Sequence, residues 1–483
     1  MILTKEKSDF LIILVGKLLQ IIIMIISIKI MTTLLEPKEM GKIYIFTTIY
    51  TFFVLSLISP FGQFVNRHTH SWHEKRMIFD NISVYLIYLF LVSLLSISIG
   101  IIIFYFGIIN DISLNIFLLL LSSFVLILTL NQTILPMLNM LHFRVSFTFL
   151  TVLTALGIVV FGYIVVKVFG NTAESWLFGT LLSNLIFMII GYILLKNRLN
   201  ETFHGFLNNF KRITKSKIKS ILTFVIPLSI ATFFMWLQNS GYRILIEQNI
   251  GLEFLGFLGV GMAISGQIAS LIESIAMQYF HPIYYQQITN TTIENRKKAI
   301  DDLINKVLPI YFMFTLFLTF LAKYVVEILV DEKYHDVYIF TAFGIWLEFF
   351  RMTTNLLGNI SQSEMNTKKF MTPYIMGSLT TIILVYLSSN SSEYKLYLPM
   401  ALVIGGFFTL VVMYISMKKL IDFNINYTII FRCFIISLPY LSVYFFDFES
   451  NLYISLFVVI SFGLYFLGTI YFIYKKGLIN DNN

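Results

Sequence analysis

The run Phe10–Thr33 is apolar apart from a few polar residues and two charges, Lys17 and Lys29, and runs of the same kind recur to the end of the chain. About 20 residues at 1.5 Å of rise cover the roughly 30 Å of membrane hydrocarbon, so each run is long enough to cross a bilayer as a helix. Fourteen are readable: Phe10–Thr33, Ile43–Val65, Ile82–Phe106, Ser113–Leu135, Phe147–Val166, Trp176–Leu195, Ile221–Ile246, Phe254–Tyr279, Val307–Val326, Val337–Ile360, Phe370–Leu387, Tyr397–Met417, Ile429–Phe446 and Leu452–Tyr474. The runs are too long for strands and do not alternate, which argues against a membrane β-barrel. The expected fold class is an all-α membrane protein of about 14 transmembrane helices.

Composition closes the alternative of one large soluble core. Only 12% of the 483 residues are charged, against roughly 25% in soluble domains, and 49 Phe and 27 Tyr accompany them. A single cysteine, Cys433, excludes an internal disulfide framework and a Cys-rich metal site. The first run is too long for a signal peptide, contains two lysines and is followed by no small-residue cleavage site, so it reads as a membrane span.

The net charge of +8 is a matter of topology rather than of nucleic-acid binding. With the N-terminus in the cytoplasm and the spans alternating, 23 of the 34 Lys and Arg fall on the inside and 6 on the outside. Five lie within or near the ends of spans: Lys17, Lys29, Arg243, Arg351 and Arg432. A miscounted span would invert this bias beyond the error, and no inversion occurs, so both termini are expected to be cytoplasmic. The longest inside segment, 196–220, sets Phe203, Phe206, Leu207, Phe210 and Ile213 at helical spacing beside basic residues. It reads as a positive-inside linker that also suits an amphipathic helix on the inner leaflet.

The segment "LLEPKEMGKIYIFTTIY" (Leu34–Tyr50) has a partial echo 215 residues later in "NIGLEFLGFLGVGMAIS" (Asn249–Ser265), pairing Gly41 with Gly256, and further along the same offset Ser59 meets Ser274 and Gln63 meets Gln278. Six spans precede the seventh, so both copies run in the same direction, the plan of parallel-repeat transporters. The expected domains are an N-terminal lobe at 1–195, the linker at 196–220, a C-terminal lobe at 221–417, and two further spans with a tail at 418–483.

The first copy, followed by "SPFGQFVNR", resembles the start of the polysaccharide-export flippases of the multidrug/oligosaccharidyl-lipid/polysaccharide (MOP) superfamily. Pro37, Gly41, Gly62 and Arg67 stand at that family's motif positions, while Glu36 and Met40 depart from it. "YRILIEQNIGLEFLG" resembles a second family pattern, with Arg243 kept and Tyr242 in place of an acid. The resemblance implies a flippase, not an enzyme. Its cargo would be a polyprenyl-pyrophosphate-linked oligosaccharide, an O-antigen or capsule unit, carried across the bacterial cytoplasmic membrane by alternating access. Partners would be that lipid-linked oligosaccharide, membrane lipids, and polymerase and chain-length proteins of the same pathway. A lipid II flippase and a cation-coupled multidrug antiporter are the alternatives.

A charge inside a span is costly and faces a cavity or a partner. Lys17, Lys29, Arg243 and Arg351 are therefore the candidate cationic substrate site, matched to a pyrophosphate. Lys29 and Arg243, near outer span ends, have snorkelling as the competing explanation. Glu348, three residues before Arg351, offers it a local counter-charge. Glu273 has no basic neighbour on its own helix, which leaves pairing with Lys17 or binding of H+ or Na+. Glu273 and Glu348 are the candidate ion-coupling residues, and no other cofactor or metal is expected. Tyr44 and Tyr50 suit either sugar stacking or packing. "RHTHSWH" (Arg67–His73) reads as a solvated loop rather than a metal site, and Asp301–Asp302 as an acidic pair at a helix start. A phosphate-binding glycine loop for ATP is absent.

Overall fold

The computed structural model describes residues 5–109, 111–199, 215–288, 291–364, 366, 368–445 and 451–475. Fourteen helices run through the described residues. They are α1 (Lys5–Leu34), α2 (Pro37–Phe53 continuing through Ser59–Glu74), α3 (Ile78–Tyr105), α4 (Leu114–Ser123 continuing through Thr129–Met140), α5 (Arg144–Phe169), α6 (Ala173–Leu199) and α7 (Lys215–Trp236 continuing through Tyr242–Asn249). Then come α8 (Leu252–Ile288), α9 (Ile293–Leu329), α10 (Tyr338–Ser363), α11 (Lys368–Ser389), α12 (Tyr394–Lys418), α13 (Tyr427–Ser437) and α14 (Leu452–Lys475). Most of the expected amphipathic linker, 200–214, lies outside the described residues.

Thirteen helices are long and apolar enough to cross a membrane, and α10 is the exception. Glu348, Arg351, Asn355 and Asn359 lower its hydropathy, although its length suffices for a span. Large apolar side chains such as Leu91, Phe169, Phe407 and Phe457 stay exposed on the helix surfaces, as lipid-facing residues do. The protein is a multi-pass membrane protein.

Packing divides the chain into two compact units, Met1–Glu253 and Phe254–Asn483. The division at 195 and 221 follows the sequence repeat; by packing, α7 belongs to the first unit.

Within the first unit the α1–α2 turn does more than face water. Pro37 opens α2 at a position where its missing N–H costs nothing. Glu39 accepts from the Ala173 amide at the start of α6 (2.8 Å) and pairs with Lys42 (2.8 Å), whose residue is only 9% exposed. Lys38 pairs with Asp111 of the α3–α4 loop (2.6 Å). These charges tie three connections at one end of the unit together, as alternating spans require. Gly41 is needed there because a Cβ would collide with the Leu252 carbonyl. Gly251, at φ +116°, makes the α7–α8 turn in the left-handed region open to glycine.

Three helices of this unit contain a π-turn: Val54–Ile58 in α2, Phe124–Leu128 in α4 and Leu237–Gly241 in α7. A π-turn inserts one residue and re-aims those beyond it. The Leu57 carbonyl, inside the first, accepts from the Tyr88 hydroxyl (2.7 Å), and Trp236, just before the third, donates to the Thr48 carbonyl (2.9 Å). Phe46 meets Phe117 and Phe124 edge-on, at 6.3 and 5.0 Å between ring centres, in the buried seam of α2 and α4.

Two expectations change, one in each unit. Arg67–His73 lies on the second half of α2 and not in a loop; the ring of His68 packs against Phe64 and Trp72. Asp301 and Asp302 stand in the third turn of α9, whose first turn is capped by Thr292. Asp301 instead accepts from the Asn424 amide (2.7 Å), and Asn305 bonds the Asn424 carbonyl (3.1 Å) and the Asn426 amide (2.8 Å). That clamp fixes the α12–α13 connection on α9, and Phe317 stacks on Phe466 of α14 at 5.5 Å.

Candidate functional site

Two centres of embedded polar residues stand out, one in each unit. In the first unit a cavity of ≈ 700 Å³ opens among α1, α4, α5 and α6. Lys17 and Gln20 come from α1, Asn131 and Gln132 from α4, Thr151 and Thr154 from α5, and Asn184 from α6. Asn131 and Asn184 are 3% and 5% exposed, and Asn131 Nδ2 donates to Asn184 Oδ1 (2.8 Å). No carboxylate pairs with Lys17 among the described residues. The cavity therefore carries one positive charge without a counter-charge among the described residues, on an exposed lysine beside uncharged polar side chains in a mainly apolar wall.

In the second unit Arg351 is held between two carboxylates. Its Nη2 lies 3.1 Å from Glu273 of α8, and its Nε donates to Glu348. Glu273 also accepts from Asn355 (2.9 Å), and Asn355 in turn accepts from the Tyr374 hydroxyl (3.2 Å). The buried Tyr311 hydroxyl, within electrostatic reach of Glu273 and Arg351, has no hydrogen-bond partner. Two carboxylates around one guanidinium give the triad a formal net charge of −1. The cation that Glu273 lacks on its own helix comes from α10, and Arg351 is not an open cation.

The remaining candidates fall elsewhere. Arg243 lies over the ring of Tyr44 at 5.4 Å and near Tyr242 at 5.9 Å, a cation–π arrangement in the first unit. Its Nε is buried without a hydrogen-bond partner. Tyr44 thus serves Arg243, and Tyr50 is buried against Phe124 at 5.6 Å. Lys29 lies about 18 Å of helix rise along α1 from Lys17 and does not line the cavity. The structure therefore joins Arg351, Glu273 and Glu348, and separates Lys17 from Lys29 and Arg243. Sequence reasoning missed Asn131, Asn184, Asn355 and Tyr374. The only signal for them was an uncharged amide or phenol in an apolar run, which many positions share.

Apolar membrane-spanning helices thus carry a basic cavity in the first unit and a charged triad in the second. The chain matches the lipid II flippase MurJ in an inward closed conformation with a TM-score of 0.70 and 14% identity, covering 98% of this chain and 99% of that one. It matches a multidrug resistance MATE family transporter of the MOP superfamily, inward-facing, with a TM-score of 0.59 and 14% identity over 83% of this chain and 94% of that one. An outward-facing MATE transporter gives 0.51 and 13% identity over 86% and 96%. At these identities the likeness is one of fold: two six-helix repeats, here followed by α13 and α14. The family model for polysaccharide biosynthesis proteins matches residues 30–339, and the chain belongs to that family. No curated protein sequence matches the chain.

Proposed function

We propose that the protein is a flippase that carries polyprenyl-pyrophosphate-linked oligosaccharide, an O-antigen or capsule unit, from the inner to the outer leaflet of the bacterial cytoplasmic membrane. The observation that carries this reading is Lys17, a cation without a counter-charge among the described residues, in a mainly apolar cavity set with amides and hydroxyls, in a chain from the polysaccharide biosynthesis family. A pyrophosphate leaving water needs such a partner, whereas a cationic drug would be repelled by it. The membrane potential favours the direction, since moving one negative charge outward from a negative interior is downhill by about 2.3 kcal/mol per 100 mV. Alternating access exposes the head group to one side at a time while the lipid tail stays in the bilayer. Coupling to H+ or Na+ falls on Glu273 and Glu348, whose triad carries the net negative charge. Both termini are cytoplasmic, and polymerase and chain-length proteins take up the cargo outside.

A lipid II flippase is the second reading, favoured by the near-complete structural coverage by MurJ. One experiment separates the readings. Deleting the protein should leave lipid-linked repeat units on the inner leaflet, and Lys17→Gln should lower their export about tenfold, the equivalent of one charge-assisted contact, with protein levels unchanged. Accumulation of lipid II instead supports the second reading, and export unchanged in the deletion overturns both.

A further inference from the structure

The first-unit cavity offers more than a cation. Asn184 Nδ2 donates to the Thr180 carbonyl (2.8 Å), which can only accept, so the Asn184 amide is oriented with Oδ1 as its acceptor end. Asn131 Nδ2 donates to that oxygen (2.8 Å). The relay ends in Asn131 Oδ1, a buried acceptor with no donor, on a residue 3% exposed that lines the cavity. Gln20 is oriented by the same logic. The Thr151 hydroxyl gives its proton to the Thr148 carbonyl (3.0 Å) and accepts from Gln20 Nε2 (2.8 Å). That leaves Gln20 Oε1 as the open end of its amide among the described residues.

Two carbonyl oxygens with fixed orientation and one ammonium therefore share a cavity of ≈ 700 Å³, within the range of about 300–1,000 Å³ for small-ligand sites. Ile23, Met24 and Ile158 add an apolar wall. A buried acceptor without a donor is unfavourable, so its natural occupant brings an N–H or O–H. A cation alone meets repulsion from Lys17, and an anion without donors leaves both carbonyls unanswered. A sugar phosphate has both kinds of group, with C–H faces for the wall.

We propose that this cavity is a subsite for the first sugar of the cargo, with Lys17 on a phosphate oxygen and Asn131 Oδ1 accepting an N–H or O–H of the adjoining ring. The assignment rests on the flippase reading and adds that sugar selection takes place here, inside the first unit. It makes the amide relay a specificity device: Asn131 is aimed by Asn184, and Asn184 by the α6 backbone.

The test uses the full-length protein in nanodiscs and three probes: a short-chain prenyl diphosphate, the same diphosphate carrying a hexose, and the same carrying an N-acetylhexosamine. The wild type should bind the glycosylated probes more tightly than the bare diphosphate. Preference for the acetamido sugar assigns an amide N–H to Asn131, and equal binding of the two sugars assigns a hydroxyl. Lys17→Gln should weaken all three about tenfold, and Asn131→Leu should erase about tenfold of preference for the glycosylated probes over the bare one. If Asn131→Leu does not fold, Gln20→Met provides the same comparison from the opposite wall. Wild-type protein that binds no probe overturns the flippase reading itself. Wild-type binding with a sugar preference that neither Asn131→Leu nor Gln20→Met alters overturns the subsite alone.

Discussion

Arg351 sits between Glu273 and Glu348 with 27% of its side chain exposed, and the two acids are 19% and 16% exposed. Removing the guanidinium leaves two carboxylates facing each other with little solvent, the case in which breaking a pair costs most. Arg351→Ala should therefore destabilise the purified protein by about 3 kcal/mol, read as a drop in melting temperature in detergent, with Glu273→Gln in the same background recovering part of the loss. If the single substitution melts like wild type, the triad is not structural. Half of this centre was legible beforehand: Glu348 and Arg351 are three residues apart on one helix face, which any helical reading pairs. The Glu273–Arg351 bond was not, because it depends on α8 meeting α10, and no spacing along the chain encodes that meeting. Lys17 was legible as an embedded charge for the same reason that Asn131 was not. Insertion of a charge demands an explanation, whereas an uncharged amide in an apolar run passes as ordinary.

At the scale of elements, long apolar runs announced the helices and their order, and Pro37 announced the start of α2. The π-turns had no such signal. Val54–Ile58 reads like its apolar surroundings, and the polar Gln238, Asn239 and Ser240 of Leu237–Gly241 mark a break in an apolar run without saying that the break is a π-turn. Arg67–His73 misled in the other direction: its polarity suggested a loop, yet a helix can run past the membrane surface while its polar residues meet water. The Gly41 position gives a direct check on helix packing. The atom that a Cβ would strike there is the Leu252 backbone carbonyl, which cannot rotate away as a side chain can. Gly41→Ala should cost about 1–3 kcal/mol in thermal or denaturant unfolding. Gly62→Ala, whose Cβ would approach only the Tyr85 hydroxyl at 3.7 Å, should be neutral or slightly stabilising, since alanine is the better helix former, and equal losses at both positions would show that close approach to the Leu252 carbonyl does not set the cost.

For the whole molecule, the asymmetry of basic residues predicts which helix ends face the cytoplasm. The native chain suits a labelling test, since its one cysteine, Cys433, is buried. In a Cys433→Ser background, Asn171→Cys in the α5–α6 connection should react with an impermeant maleimide in intact cells. Lys75→Cys, beyond the far end of α2, should react only after permeabilisation. Both positions are exposed, so a reversed pattern would place the termini outside. The charge count could foresee this orientation because it depends on totals at each face. It could not foresee that α7 packs with the first unit, which depends on particular side chains such as Trp236 on Thr48.

The polarity of α10 has a consequence for how the chain is made. A lone Arg or Glu at the centre of a helix entering the bilayer is opposed by about 2.5–3.5 kcal/mol, and α10 falls short of the hydropathy that its neighbours have. Synthesis delivers α8 first, so Glu273 is already in the bilayer when Arg351 leaves the ribosome. Insertion of α10 is thereby eased by a partner two helices upstream, in addition to the Glu348 that α10 carries itself. The triad therefore bears on how the chain is assembled as well as on how it is held together once folded.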